Sequence, residues 1–334
     1  MRSNFFAIIV FASLAFTGCE SKSISTSDHS QPTYNSISGR VGVDGPILAV
    51  KVDDTHFARP QIGIDEADLV YIEQVEGGLT RLAAIFSSTI PEEIGPVRSA
   101  RISDIDLLSQ FGRVVFAYSG AQRSLWPVVA SANLWDYGAQ HSSPTIYPRD
   151  RNRTSPYNMI VRGDLLVAKS IGDSREIARS KSPGWSFGSA PVGGVPIDSS
   201  KIYWPASKYE VTWSKSANRW LLSNGGVADL VASGKQLSAT TFVIQIVSIT
   251  NSNYRGKDGT YTPFSQTIGT GTGYILRNGR SFKANWSRPS AEAGTTWTLA
   301  DGSEIKFAPG SIWVALTDRK PEFTFTAPAS PISK

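Results

Sequence analysis

GPVRSAR (95–101) sets Arg98 and Arg101 three residues apart behind a Gly-Pro break. Apolar residues follow at Ile102, Ile105, Leu108 and Phe111, and then Gly112. That spacing predicts an amphipathic helix with a glycine stop, with both arginines at its N-terminal end. Free backbone N–H groups at a helix start favour anions, and guanidinium forks grip phosphate or carboxylate at two points. Ser99 lies between the arginines. Asp104 falls near the same helical stripe, where it can orient Arg101. The segment reads as an anion seat; an exposed ladder of ion pairs would use the same residue types.

Two further stretches carry charge in a pattern. In Glu76-Gly77-Gly78-Leu79-Thr80-Arg81 the glycines permit a tight turn and a close backbone approach to a ligand. Glu76 and Arg81 flank that turn, as ligand contacts or as an ion pair. In YPRDRNRTSPYN (147–158), Arg149, Arg151 and Arg153 alternate around Asp150. In an extended chain they would point one way, and Asn158 follows Pro156-Tyr157. This suits a polyanion or a phosphorylated glycan, or else a solvated loop.

Other chemistries find less support. Ser119-Gly120-Ala121-Gln122 falls between a predicted strand and a helix, a frequent place for a small-molecule site. No GxSxG elbow surrounds Ser119, and His29, His56 and His141 complete no Ser-His-Asp set. Glu76 and Asp104 remain the candidates for acid–base work. The chain has no HExxH, paired-cysteine, EF-hand or P-loop motif, so no cofactor is expected. Asp53, Asp54, Glu76 and Asp104 permit a divalent ion beside bound phosphate without indicating one.

These residues must be positioned by short elements. Apolar, branched runs at 47–52, 69–75 and 82–87 predict strands, the last two joined as a hairpin across Gly77-Gly78. A strand follows at 114–119, then helices at 124–132, with Pro127 in the first turn, and at 164–170. Residues 46–180 thus predict an α+β or α/β domain. The Gly-, Pro- and Ser-rich stretch 181–198 reads as a connection. Residues 199–320 predict an all-β domain, a sandwich or barrel. Its strand candidates are YEVTW, RWLLS, TFVIQIVSI, GYILRN, SFKANWS, TTWTL, EIKF and SIWVAL, with hairpin turns at Asn278-Gly279 and Asp301-Gly302. Trp213, Trp220, Trp286, Trp297 and Trp313 punctuate these strands, as core residues or as sugar-stacking faces.

The 334 residues carry 33 Lys and Arg against 28 Asp and Glu, a net charge of +5. That balance suits anionic partners. The chain has no long basic run, so nucleic acid is not expected. The N-terminus, MRSNFFAIIVFASLAFTGC, has a basic Arg2 and an apolar run too short to span a bilayer. It ends at Cys19, the single cysteine of the chain. Residues 1–18 are expected to be a secretory signal. The pattern resembles a bacterial lipobox, with Phe16 where Leu is usual, which implies lipid on the Cys19 thiol. Residues 19–45 read as a flexible tether and 321–334 as a disordered tail.

RPQIGIDEADLVYIEQVEGGLTRLAAIF (59–86), IGPVRSARISDIDLLSQFG (94–112) and YPRDRNRTSPYN resemble the YerB-like bacterial lipoproteins, in an actinobacterial-type branch. GTGTGYILRNG (269–279), Asn285-Trp286 and LADGSEIKFAPGSIWV (299–314) resemble that family's C-terminal partner domain. The resemblance covers most of residues 46–318. It implies a two-domain protein, exported and lipid-anchored to the outer face of the cell membrane, with no settled activity. Two positions depart from the pattern. Tyr157 stands where many relatives carry His, and Ile72 intervenes before Glu73, an offset that moves a strand side chain to the other face. The expected role is binding of an anionic envelope polymer or lipid-linked glycan through Arg81, Arg98, Ser99, Arg101, Arg149, Arg151, Arg153 and Asn158. The alternatives are an envelope scaffold that recruits a protein partner, and an enzyme acting on phosphorylated or glycosidic wall precursors.

Overall fold

Strand β1 (Leu48–Asp53) reads LAVKVD, and all six residues are buried. A strand buried on both sides needs a covering layer on each face. Leu48, Val50 and Val52 enter one apolar core, and Ala49 enters the other. The computed structural model describes residues 33–256 and 258–326. The predicted signal and Cys19 lie outside these residues.

β2 (Leu69–Gln74) and β3 (Thr80–Phe86) form the predicted antiparallel hairpin. Gly77 and Gly78 at its turn have φ of 70° and 72°, a region that glycine enters without penalty. β3 also pairs with β1, and β4 (Val114–Ala117) and β5 (Leu134–Asp136) add in parallel beyond β1. Helices α1 (Ser103–Ser109) and α2 (Trp126–Ser131) pack on one face of this sheet, and α3 (Gly163–Gly172) packs on the other.

The C-terminal region is sheet-rich. Its main strands are β6 (Val195–Tyr203), β7 (Lys208–Ser214), β8 (Arg219–Asn224), β9 (Thr241–Ile246), β10 (Gly269–Arg277), β11 (Arg280–Arg288) and β12 (Ile312–Thr317). The strand order is β8-β7-β6-β11-β10-β9-β12-β2-β3-β1-β4-β5. The fully buried β12 lies between β9 and β2, parallel to both, so the mixed N-terminal region and the sheet-rich C-terminal region share one sheet. β6 meets β11 through only two paired residues, and Ile202, Tyr209, Val211 and Trp220 of β6–β8 share a core with Val52, Ile72 and Trp313. Asn278 and Gly279 turn between β10 and β11 with φ of 53° and 70°, as a type I′ hairpin requires. Trp220, Trp286, Trp297 and Trp313 are buried core residues.

Three expectations need correction. Residues 33–45 are not tether: Ile37 and Ser38 are fully buried, and the Trp185 indole donates to the Ile37 carbonyl at 3.1 Å. Glu322–Phe325 is a strand paired with β6, not disordered tail. EIKF (304–307) forms only isolated bridges. In each case long-range packing, which local composition does not encode, decides the structure.

Because β2 has β12 as a lateral partner, residues 33–180 expressed alone are expected to show no cooperative unfolding transition by near-UV circular dichroism. A sigmoidal melt of that fragment would contradict the shared-sheet account.

Candidate functional site

At one end of β1–β3, the face toward α1 is charged. Arg81 on β3 pairs in register with Asp53 of β1 and Glu73 of β2. Residues 96–101 run extended alongside. The Asp53 N–H donates to the Pro96 carbonyl at 2.9 Å, and the Arg98 N–H to the Lys51 carbonyl at 2.8 Å. On the far side, the Ser119 N–H donates to the Arg98 carbonyl at 3.0 Å. GPVRSAR is therefore a strap between the ends of β1 and β4, and α1 begins only at Ser103. This corrects the predicted helix start: Arg98 and Arg101 lie ahead of the helix, and the Asp104 carboxylate accepts the Arg101 N–H at 2.6 Å.

Beneath the strap lies a buried ion triad. Lys51 Nζ is 2.6 Å from Glu73 Oε1 and 2.6 Å from Asp104 Oδ1, and none of the three side chains is more than 1% exposed. Burial pushes the Glu73 carboxyl up; Lys51 opposes this and the Asp104 charge adds to it. Ile72 faces the opposite core, so Glu73 stands on the same face as Arg81 despite its offset. A lone cation inside an apolar strand run is the one sequence signal for Lys51, and its partners carry none.

The arginines above the triad differ in their partners. Arg98 donates from Nε to Asp53, and its guanidinium carbon lies 5.4 Å from the Tyr157 ring centre. Arg101 donates from Nε to Glu76 Oε2 at 2.8 Å. Glu76 Oε1 accepts the Thr262 hydroxyl at 2.6 Å, which ties this turn to the C-terminal region. Burial pushes the Glu76 carboxyl up, but Arg101 and the hydrogen bonds outweigh it and hold the group below its usual value. Arg81 donates from Nη1 to the Ser99 carbonyl at 3.0 Å and has no carboxylate within 4.0 Å among the described residues. Burial, then Arg101 and Arg98, push its guanidinium down to about 9. Glu76 and Asp104 spend both their oxygens on these contacts.

The strap brings together Arg81, Arg98, Ser99, Arg101, Glu76 and Asp104. It does not gather the second arginine group. Residues 151–153 form a turn, so the three arginines do not project one way. Arg149 donates to Asn158 Oδ1 at 2.8 Å, Arg153 to Asp150 and to the Ala58 and Pro60 carbonyls, and Arg151 is exposed. Tyr157 links this loop to Arg98.

Past the end of β1, away from the strap, lies a cleft of about 670 Å³, walled by both regions of the chain. Phe57, Tyr157, Tyr203 and Trp204 supply aromatic surface, and Lys208 and Arg319 supply cations. Asp54 reaches this side, where it accepts Tyr209 Oη at 2.6 Å, Arg59 and the Thr80 hydroxyl. Asp53 and Asp54 thus serve separate networks and do not converge on one ion. Thr55 lines the cleft and donates its hydroxyl to Asp53 at 2.6 Å, which couples the two sides. Behind the cleft, Arg59 Nε lies 3.3 Å from buried Asp229. Burial foremost, with help from Asp54 and against Arg59, pushes Asp229 up to about 7. Arg59, Asp229 and the 203–208 wall went unread in the sequence because only tertiary contact joins them to β1.

Residues 36–175 match the N-terminal domain of the family described as protein of unknown function DUF3048, and residues 200–314 match its C-terminal domain. The chain belongs to this YerB-like family. It is 21% identical over 271 residues to the "Putative lipoprotein YerB" of Bacillus subtilis (strain 168), covering 80% of each chain. The crystal structure of the Bacillus subtilis YerB protein shares the fold, with a TM-score of 0.73 at 20% identity, covering 87% of this chain and 99% of that one.

The unfolded chain releases the Asp229 proton near the ordinary carboxylate value of about 3.9. Between that value and about 7 the folded state retains a proton that the unfolded state has lost, so stability falls as pH rises through this window. Relative to Asp229→Asn, the wild type is expected to lose on the order of 1 kcal/mol per pH unit there, and little above it. Urea titrations of both proteins at pH 4.5, 6 and 8 read the difference; parallel curves would contradict the assignment.

Proposed function

We propose that the chain is a lipid-anchored extracytoplasmic protein that binds an anionic envelope polymer or lipid-linked glycan in the cleft beside the arginine strap. The N-terminal apolar run ending at Cys19 supports the anchor, as does the likeness to a protein named as a lipoprotein.

The lining of the cleft carries the binding reading. Sugar rings stack on aromatic faces of the kind that Phe57, Tyr157, Tyr203 and Trp204 present. Phosphate groups are held by cations. Lys208 has no ion pair among the described residues, and Arg319 has only a 4.0 Å contact with its neighbour Asp318. Arg98 backs the cleft through Tyr157, and Asp53 through Thr55. Because Arg98 and Arg101 are already held by carboxylates, their part in this reading is to position the wall. The engaged oxygens of Glu76 and Asp104 favour binding over acid–base turnover.

A glycerol-phosphate oligomer is expected to raise the melting midpoint of the chain by roughly 2 °C or more at saturation, and a neutral glycan of equal length by less. Lys208→Glu with Arg319→Glu should remove the difference. A midpoint unmoved by the oligomer, or moved equally in the double variant, would contradict the proposal.

A further inference from the structure

A second pocket, of about 250 Å³, lies away from the cleft and the strap. Its walls come from five separate parts of the chain. Arg40 belongs to the N-terminal segment, Asp65 and Glu66 precede β2, Arg219 opens β8, and Ser311 precedes β12; Lys235 completes the rim.

Its two arginines are held by neutral groups. Among the described residues, the Arg40 guanidinium donates only to backbone carbonyls, those of Glu66 at 2.8 Å and Asp65 at 3.2 Å. Arg219 donates to the Ser311 hydroxyl at 3.3 Å. Among the described residues, neither guanidinium has a carboxylate within 4.0 Å, whereas Arg59, Arg98, Arg101, Arg153 and Arg162 each have one. The nearby acids already have partners, Asp65 within the pocket itself. Asp65 meets Lys235 at 3.2 Å, and the oxygens of buried Asp68 are taken by Ser38, Ser87 and Ser88. Glu66 is exposed and lends Arg40 its carbonyl. Burial lowers the Arg40 guanidinium, and the charge of Arg219 lowers it further against the pull of Asp68, Glu66 and Asp65.

Two half-buried guanidiniums that repel across one pocket are stabilised by an anion held between them. Both retain free N–H donors for bidentate contacts. The lining carries three cations against two carboxylates, so one small oxyanion brings the pocket close to neutral. A volume of about 250 Å³ admits a phosphate group.

We propose that Arg40, Arg219 and Lys235 form a second site, which binds a single phosphate or phosphomonoester group. It is independent of the cleft ligand. The group could arrive as free phosphate or as the headgroup of an anionic lipid.

Thermal melts of the chain in sodium phosphate, against sodium chloride at matched ionic strength, test the site. Phosphate is expected to raise the wild-type midpoint by roughly 2 °C. Arg219→Gln should abolish the rise. Lys235→Gln, at a more exposed position, should weaken phosphate affinity several-fold. The Lys208→Glu, Arg319→Glu variant should respond as wild type, which separates this site from the cleft. Flotation with phosphatidylcholine vesicles containing phosphatidic acid distinguishes the sources: Arg219-dependent binding assigns a lipid headgroup, and a phosphate-specific melt shift without flotation assigns free phosphate. If neither phosphate nor phosphatidic acid binds, or if the response persists in both Arg219→Gln and Lys235→Gln, the proposal is overturned.

Discussion

Lys51 is a cation with no access to water, and the arrangement of the N-terminal region follows from how its charge is met. Removing an ion from water costs several kcal/mol unless a partner of opposite charge is fixed beside it. Here the partners come from two other elements, Glu73 on β2 and Asp104 at the start of α1. Strand, hairpin and helix must therefore assemble together. Asp104, once placed, takes the Arg101 N–H and fixes where the strap ends. The strap then sets Arg98 against Asp53 and Arg101 against Glu76. Lys51, Arg81, Arg98 and Arg101 face Asp53, Glu73, Glu76 and Asp104, so basic and acidic groups are matched in number. It works as a rigid frame more than as an open anion trap.

The second constraint is β12. It supplies the lateral partner that β2 needs and carries the C-terminal strands with it. That placement lets the 203–208 segment close over the β2–β3 turn, where the Ala206 N–H donates to the Gly78 carbonyl at 2.9 Å. A side chain at Gly78 would collide with Pro205. The cleft exists because these two regions meet there, and its aromatic wall is drawn from both.

Local patterns in the sequence carried much of this. The branched runs of β1–β3, the glycine turn and the Asn278-Gly279 hairpin are written in short-range chemistry. The motifs also named Arg81, Arg98, Arg101 and Glu76, which meet at the strap, together with Arg149, Arg151 and Arg153, which do not join them. The helix start was misplaced because Asp104, a residue inside α1, satisfies the N–H ahead of it. Tertiary facts stayed hidden. No local signal pairs Lys51 with residues 22 and 53 positions away, or joins β12 to β2. Arg40 sat in a Ser-rich stretch whose composition suggests a tether, yet buried Ile37 anchors that stretch to the body.

Denaturant unfolding of Lys51→Met, beside the triple variant Lys51→Met, Glu73→Gln, Asp104→Asn, tests the central claim most directly. Removing the cation alone strands two buried carboxylates and is predicted to cost about 3–5 kcal/mol, while neutralising all three recovers a large part of that loss. A single variant that loses less than about 1 kcal/mol, as an exposed pair would, would contradict the account. So would a triple variant no more stable than the single one.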